Sequence, residues 1–164
     1  MWKWIRFNSA ILVVLGLALG SCSTSFYVVR HAEKMQTNTS DPALTDEGED
    51  RAVRLAKILV DKNIQEIYST NYIRTMFTAQ PLAELKNIEI QKYAPKEQSE
   101  LIEKLKISKK NTLIVGHSNT IKSIINGLAE KEVLAKDLED SEYGHLYLIK
   151  RGKLGKPKFI QKEY

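Results

Sequence analysis

The sequence predicts an α/β sandwich of three layers, with a mostly parallel central sheet, helices on both faces and a closing C-terminal hairpin. Three observations predict it. Short runs rich in β-branched and aromatic residues alternate with longer stretches of helical periodicity, the pattern of a parallel sheet covered by helices. No repeat, low-complexity block or long linker divides the 164 residues, which suits one domain with one core. The last two apolar runs are separated only by a short stretch holding Gly152 and Gly155, which reads as a hairpin.

The elements follow in chain order. Phe26–Val29 (FYVV) is the first strand. Thr45 is a helix N-cap, and Ala52, Leu55, Ala56 and Leu59 then recur at the spacing of one helical face. Ile64 with Glu66–Tyr68 makes a second strand, and Asn71–Leu85 a second helix. Ile88–Tyr93 is a strand, Glu97–Leu105 a helix, Thr112–Val115 (TLIV) a strand and Asn119–Leu128 a helix. His145–Lys150 and Lys158–Gln161 form the hairpin.

Residues 1–21 read as an address rather than as fold. Lys3 and Arg6 precede the apolar run Ile11–Gly20, which is about half the length of a bilayer-spanning helix. The run ends in Leu19-Gly20-Ser21-Cys22, which resembles the lipobox of bacterial lipoproteins, and Cys22 is the one cysteine of the chain. The resemblance implies cleavage before Cys22, lipidation of Cys22 and stable anchoring by several acyl chains in the bacterial cell envelope, outside the cytoplasm. Plain secretion with an incidental Cys22, or an uncleaved N-terminal anchor, are the other readings. The expected domain is 22–164, seated close against the membrane.

Composition narrows the chemistry. One cysteine excludes a disulfide framework and a cysteine-rich zinc site. A formal charge of +5 suits anionic substrates and is too modest to indicate nucleic acid. Lys150, Arg151, Lys153, Lys156 and Lys158 make a basic hairpin without interleaved aromatics, read as a solvated turn able to contact lipid headgroups.

In parallel sheets ligands bind beyond the carboxyl ends of the strands, so the residues there carry the functional reading. The first strand runs into Arg30-His31-Ala32-Glu33-Lys34, and Thr112–Val115 runs into Gly116-His117-Ser118-Asn119-Thr120. The turn Tyr68-Ser69-Thr70 leads to Arg74 about one helical turn on. Two imidazoles and two guanidinium groups on one rim suit phosphoryl chemistry. Guanidinium forks match phosphate oxygens, and an imidazole between them can attack phosphorus.

Four segments in order resemble the histidine phosphatase superfamily, in its phosphoglycerate-mutase-like branch. They are Arg30-His31-Ala32 (continuing to Glu33-Lys34, as in an RHAEK-type bacterial subgroup), Asp41-Pro42-Ala43-Leu44-Thr45 with Gly48, Ser69-Thr70 through Arg74 to Thr78-Ala79, and Gly116-His117-Ser118-Asn119. The resemblance implies a metal-independent, cofactor-free phosphatase acting on a phosphorylated small molecule or phosphoprotein. It makes His31 the nucleophile and phosphohistidine the intermediate, with Arg30 and Arg74 holding the phosphoryl group and His117 donating to its oxygens. Thr70, Ser118 and Asn119 would add hydrogen bonds at the rim. For the acid that protonates the leaving oxygen, Glu97 and Glu100 lie in the matching region, and Glu33 and Asp41 could also reach the pocket.

Other readings stand beside this one. The chain could bind phosphate without turning it over. Gly116-His117-Ser118-Asn119-Thr120 approaches an esterase nucleophile elbow on Ser118, but Thr120 stands where that strained turn needs Gly. A zinc site on His31 and His117 lacks a third ligand at metal spacing, and His145 reads as a surface residue.

Overall fold

The computed structural model describes residues 23–164, so the N-terminal segment and Cys22 lie outside the described residues. A six-stranded sheet runs in the order β3-β2-β4-β1-β5-β6. Its strands are β1 (Thr24–Arg30), β2 (Glu66–Thr70), β3 (Ile90–Tyr93), β4 (Thr112–Gly116), β5 (His145–Arg151) and β6 (Lys158–Glu163). The first four are mutually parallel; β5 pairs antiparallel with β1, and β6 antiparallel with β5. The mixed, mostly parallel sheet and the closing hairpin are as the alternating pattern predicts.

Four helices cover the two faces: α1 (Asp46–Leu59), α2 (Ile73–Lys86), α3 (Ser99–Ile107) and α4 (Ser118–Ala129). Helices α1 and α2 pack Leu55, Leu59 and Leu82 on Val29, Ile67, Leu113 and Val115. Helices α3 and α4 pack Leu105, Ile121 and Ile124 on Phe26, Val28, Tyr68 and Ile114. Alternation along β1 sends Val29 to one layer and Val28 to the other, and all seven residues of this central strand are buried. Burying the two apolar sides of one sheet is the main stabilising contribution.

Local signals place the ends of the elements. The Thr45 hydroxyl accepts the Gly48 N–H at 3.1 Å and caps α1, as expected from the sequence. Gly48 is needed for packing: a Cβ there would collide with the backbone carbonyl of Glu33. The expected helix at Asn71 starts instead at Ile73, because Tyr72 holds extended backbone (φ −125°, ψ 146°). Helix α3 likewise starts at Ser99, two residues later than the expected start at Glu97. Among the described residues, no helix is long and apolar enough to cross a membrane.

Candidate active site

Strands β2, β4 and β1 are neighbours, and their register aligns Ser69 with Val115 and Arg30 with Gly116. Their carboxyl ends therefore deliver three turns side by side. His31 N–H donates to the Gly116 carbonyl at 2.9 Å, which ties the first turn to the third. Gly116 lets the turns pack: a Cβ would come within 2.6 Å of Thr120 Oγ1 and of the Tyr93 hydroxyl. The Thr78 hydroxyl accepts the Ala32 N–H at 2.9 Å and donates to the Arg74 carbonyl at 2.7 Å, joining the His31 turn to α2.

The two histidines meet edge to face, with ring centroids 5.5 Å apart. His31 Nδ1 lies 2.7 Å from the Ala32 carbonyl oxygen, which only accepts. The proton is therefore on Nδ1, and Nε2 keeps its lone pair. His117 sits between the Thr70 hydroxyl, 2.9 Å from Nε2, and Arg74 Nη2, 3.4 Å from Nδ1. Since guanidinium only donates, Nδ1 accepts and Nε2–H donates to Thr70. Thr70 in turn contacts Thr75 Oγ1 at 2.9 Å, which anchors the buried relay.

Each arginine is held by backbone or carboxylate on one side and a tyrosine face on the other. Arg30 Nη1 donates to the Glu139 carbonyl at 2.7 Å, and its guanidinium lies 4.4 Å from the Tyr143 ring centroid. Its Nη2 meets Asp140 at 3.3 Å, but the Asp140 side chain is 98% exposed and that of Arg30 2%. Solvent around Asp140 weakens this pair, so Arg30 could release it for another anion. Arg74 Nη1 meets Asp41 at 3.2 Å and the guanidinium lies 4.7 Å from the Tyr72 ring centroid. Nε of both arginines is buried with no acceptor among the described residues. Buried, unsatisfied cationic donors are costly, and an anion's oxygens would satisfy them.

Burial, countered in part by the Ala32 carbonyl and reinforced by Arg30, His117 and Arg74, pushes the His31 imidazole down to about 3. Burial and the two arginines push His117 down to about 4, against an opposing pull from Asp41. Both rings are neutral near neutrality, so His31 Nε2 is free to act as a nucleophile. Unfolded, the rings titrate near 6.5 and bind protons that the folded state refuses, so stability is full above that value and falls with pH toward about 4. The expected loss by pH 5 is about 2 kcal/mol per ring. Unfolding midpoints should fall from pH 7 to 5 and fall less in His31→Ala and His117→Ala. A flat profile would contradict the assignment.

The residues expected from the sequence separate into groups. Arg30, His31, Thr70, Arg74 and His117 come together. Ser118 opens α4 beside them, but the histidine ring nitrogens contact Ala32, Thr70 and Arg74 rather than Ser118, and Asn119 is exposed. Glu33 is turned away: Arg51 Nε donates to both its carboxylate oxygens at 2.8 Å, which holds its carboxyl below the ordinary range despite burial. Glu97 and Glu100 line a cleft of about 200 Å³ with Tyr68, Tyr93 and Lys104, beside α3. Asp41 returns to the site because the Lys34–Leu44 bridge folds the intervening loop back, and it caps α2 through the Ile73 N–H at 3.0 Å.

Tyr72, Tyr143 and the carbonyls of Glu139 and Glu142 were not apparent as site residues in the sequence. The one available signal was length: residues 130–144 form an irregular connection at the upper end of ordinary loop sizes, where functional loops concentrate. Among the described residues, no three His, Cys, Asp or Glu side chains gather as metal ligands would.

Residues 26–95 match the family model described as Histidine phosphatase superfamily (branch 1). No curated protein is similar enough in sequence to extend that comparison. The chain is similar in structure to the protein histidine phosphatase SixA in a complex with tungstate, at 14% identity and a TM-score of 0.68, over 85% of this chain and 97% of that one. It is similar to phosphoserine phosphatase from Entamoeba histolytica in complex with 3-phosphoglyceric acid (18% identity, TM-score 0.62, 86% and 97% covered). A mycobacterial glucosyl-3-phosphoglycerate phosphatase is similar at 13% identity and a TM-score of 0.63, with 87% and 98% covered. At these identities the similarity is one of fold, and it extends over nearly the full length of the other chains.

Proposed function

We propose that the chain is a phosphatase of the histidine phosphatase superfamily that works through a phosphohistidine on His31. The observation that supports this reading most is the gathering of Arg30, His31, Arg74 and His117 at the ends of three adjacent strands, with the His31 proton fixed on Nδ1.

His31 Nε2 forms a bond to phosphorus as the bond to the leaving oxygen breaks, and the leaving group departs with that electron pair and takes up a proton. Water then attacks phosphorus and loses a proton, the N–P bond breaks, and Nε2 regains its lone pair as inorganic phosphate departs. Arg30 and Arg74 neutralise charge on the non-bridging oxygens, as divalent cations do in many kinases and NTPases, so turnover continues in EDTA. The dianion also raises the depressed affinity of His117 for a proton, which converts that ring into a donor toward phosphate.

The weak point of the site is proton delivery to the leaving oxygen. Glu33 is bound to Arg51, Asp41 to Arg74 and the α2 N-terminus, and Glu97 and Glu100 share a separate cleft. Substrates whose leaving groups need little protonation are favoured: phosphoramidates such as phosphohistidine, and acyl and aryl phosphates. In EDTA, kcat/KM for an aryl phosphate is expected to exceed that for an alkyl phosphate of similar size by at least about 100-fold. Equal rates would place a competent acid in the site. Tight phosphate binding without turnover of any of these would make the protein a phosphate-binding module.

A further inference from the structure

We infer that the edge of the sheet opposite the catalytic mouth is a docking face for an anionic lipid bilayer. Three segments meet there. The chain enters β1 at Thr24, which pairs with Arg151 at the end of β5, and Ser25 N–H donates to Asn111 Oδ1 at 2.9 Å, just before β4. Thr24 thus lies between the turn that follows α3 and the β5–β6 turn. Lys106, Lys109, Arg151 and Lys153 line a shallow cleft of about 190 Å³ beside it.

Two apolar side chains project at this edge with nothing in the fold to cover them. Ile107, the last residue of α3, is 82% exposed, and Leu154, in the β5–β6 turn, is 94% exposed. Apolar tips set among lysines suit an interface in which the tips enter the headgroup layer and the cations face lipid phosphates. The charge is available for this. Lys106, Lys110 and Arg151 are met by Glu103, Glu66 and Glu130. Among the described residues Lys109, Lys150, Lys153, Lys156 and Lys158 pair with no carboxylate, and the last four belong to the hairpin.

The sequence points to the same occupant. The apolar run of residues 11–20 ends four residues before Thr24, a link that extends no more than about 15 Å. Acyl chains on Cys22 after cleavage, or the run kept as an uncleaved anchor, would each hold a bilayer next to this face. A soluble polyanion would not account for Ile107 and Leu154. Arg30 stands at the other end of β1, about 20 Å away along the strand, so the catalytic mouth faces water and takes substrates from the aqueous phase.

The test uses the full chain reconstituted in vesicles, followed by amide hydrogen exchange. With phosphatidylglycerol in the vesicles, amides of residues 107–110 and 152–156 are expected to exchange about tenfold more slowly than in phosphatidylcholine alone. The triple variant Lys109→Glu, Lys153→Glu, Lys156→Glu should lose that protection while keeping its unfolding midpoint, since all three side chains are exposed. Equal exchange in both vesicle types, or protection by a single-stranded oligonucleotide but not by vesicles, would overturn the inference.

Discussion

Replacing His31 with Ala is expected to lower turnover of an aryl phosphate by at least about 10⁴-fold while leaving binding of tungstate or phosphate within about tenfold. The asymmetry follows from how the site divides its labour. In the proposed mechanism the lone pair that attacks phosphorus is that of His31 Nε2, because the Ala32 carbonyl fixes the proton on Nδ1. In the same mechanism Arg30 and Arg74 bind the anion; they are held by the Glu139 carbonyl, Asp41 and two tyrosine faces, and of these the Tyr143 ring also packs against His31, with centroids 5.9 Å apart. The imidazole is neutral, so its loss strands no charge in the interior. Steady-state kinetics with calorimetric titration of tungstate reads both quantities. Loss of anion binding along with turnover would mean that His31 acts chiefly as a scaffold.

The second large effect is expected for Arg74→Lys, with kcat/KM falling about 10²–10³-fold. Lysine keeps the charge, so a smaller loss would follow if charge alone mattered. Arg74 does more than carry charge: one nitrogen meets Asp41, another reaches His117 Nδ1, and the planar group lies over Tyr72. A single ammonium cannot make these contacts and also grip two phosphate oxygens. His117 Nδ1 would lose its donor, freeing the ring to change tautomer. The drop should therefore appear in kcat as well as KM. A change confined to KM would reduce Arg74 to ground-state binding.

The residues that were legible in the sequence are those fixed by local pattern. Thr45 as a cap, the helical face through Leu55 and Leu59, and the turn residues after β1 and β4 each follow from a few neighbouring positions. That Arg30, His31, Arg74 and His117 share one rim also follows, because parallel strands present the turns after them on a common edge. Partnerships across long separations were not legible. Arg51 capturing Glu33, Tyr143 covering Arg30 and Asp41 joining Arg74 depend on how loops fold back over the sheet. No periodicity encodes these contacts, and they are what removes Glu33 from the candidate acids. Helix starts at Ile73 and Ser99 differ from the pattern by two residues because the preceding backbone is set by its turn rather than by apolar spacing.

Every step of the proposed reaction depends on the transfer of phosphorus to His31 Nε2. Rapid mixing with an excess of aryl phosphate, an alkaline quench and peptide mass spectrometry test it directly. The expected product is an acid-labile, alkali-stable phosphoryl group on the peptide carrying His31, on the nitrogen remote from Ala32, formed and discharged at rates compatible with turnover. Turnover with no such adduct, or with the phosphoryl group on Ser118 or His117, would contradict it.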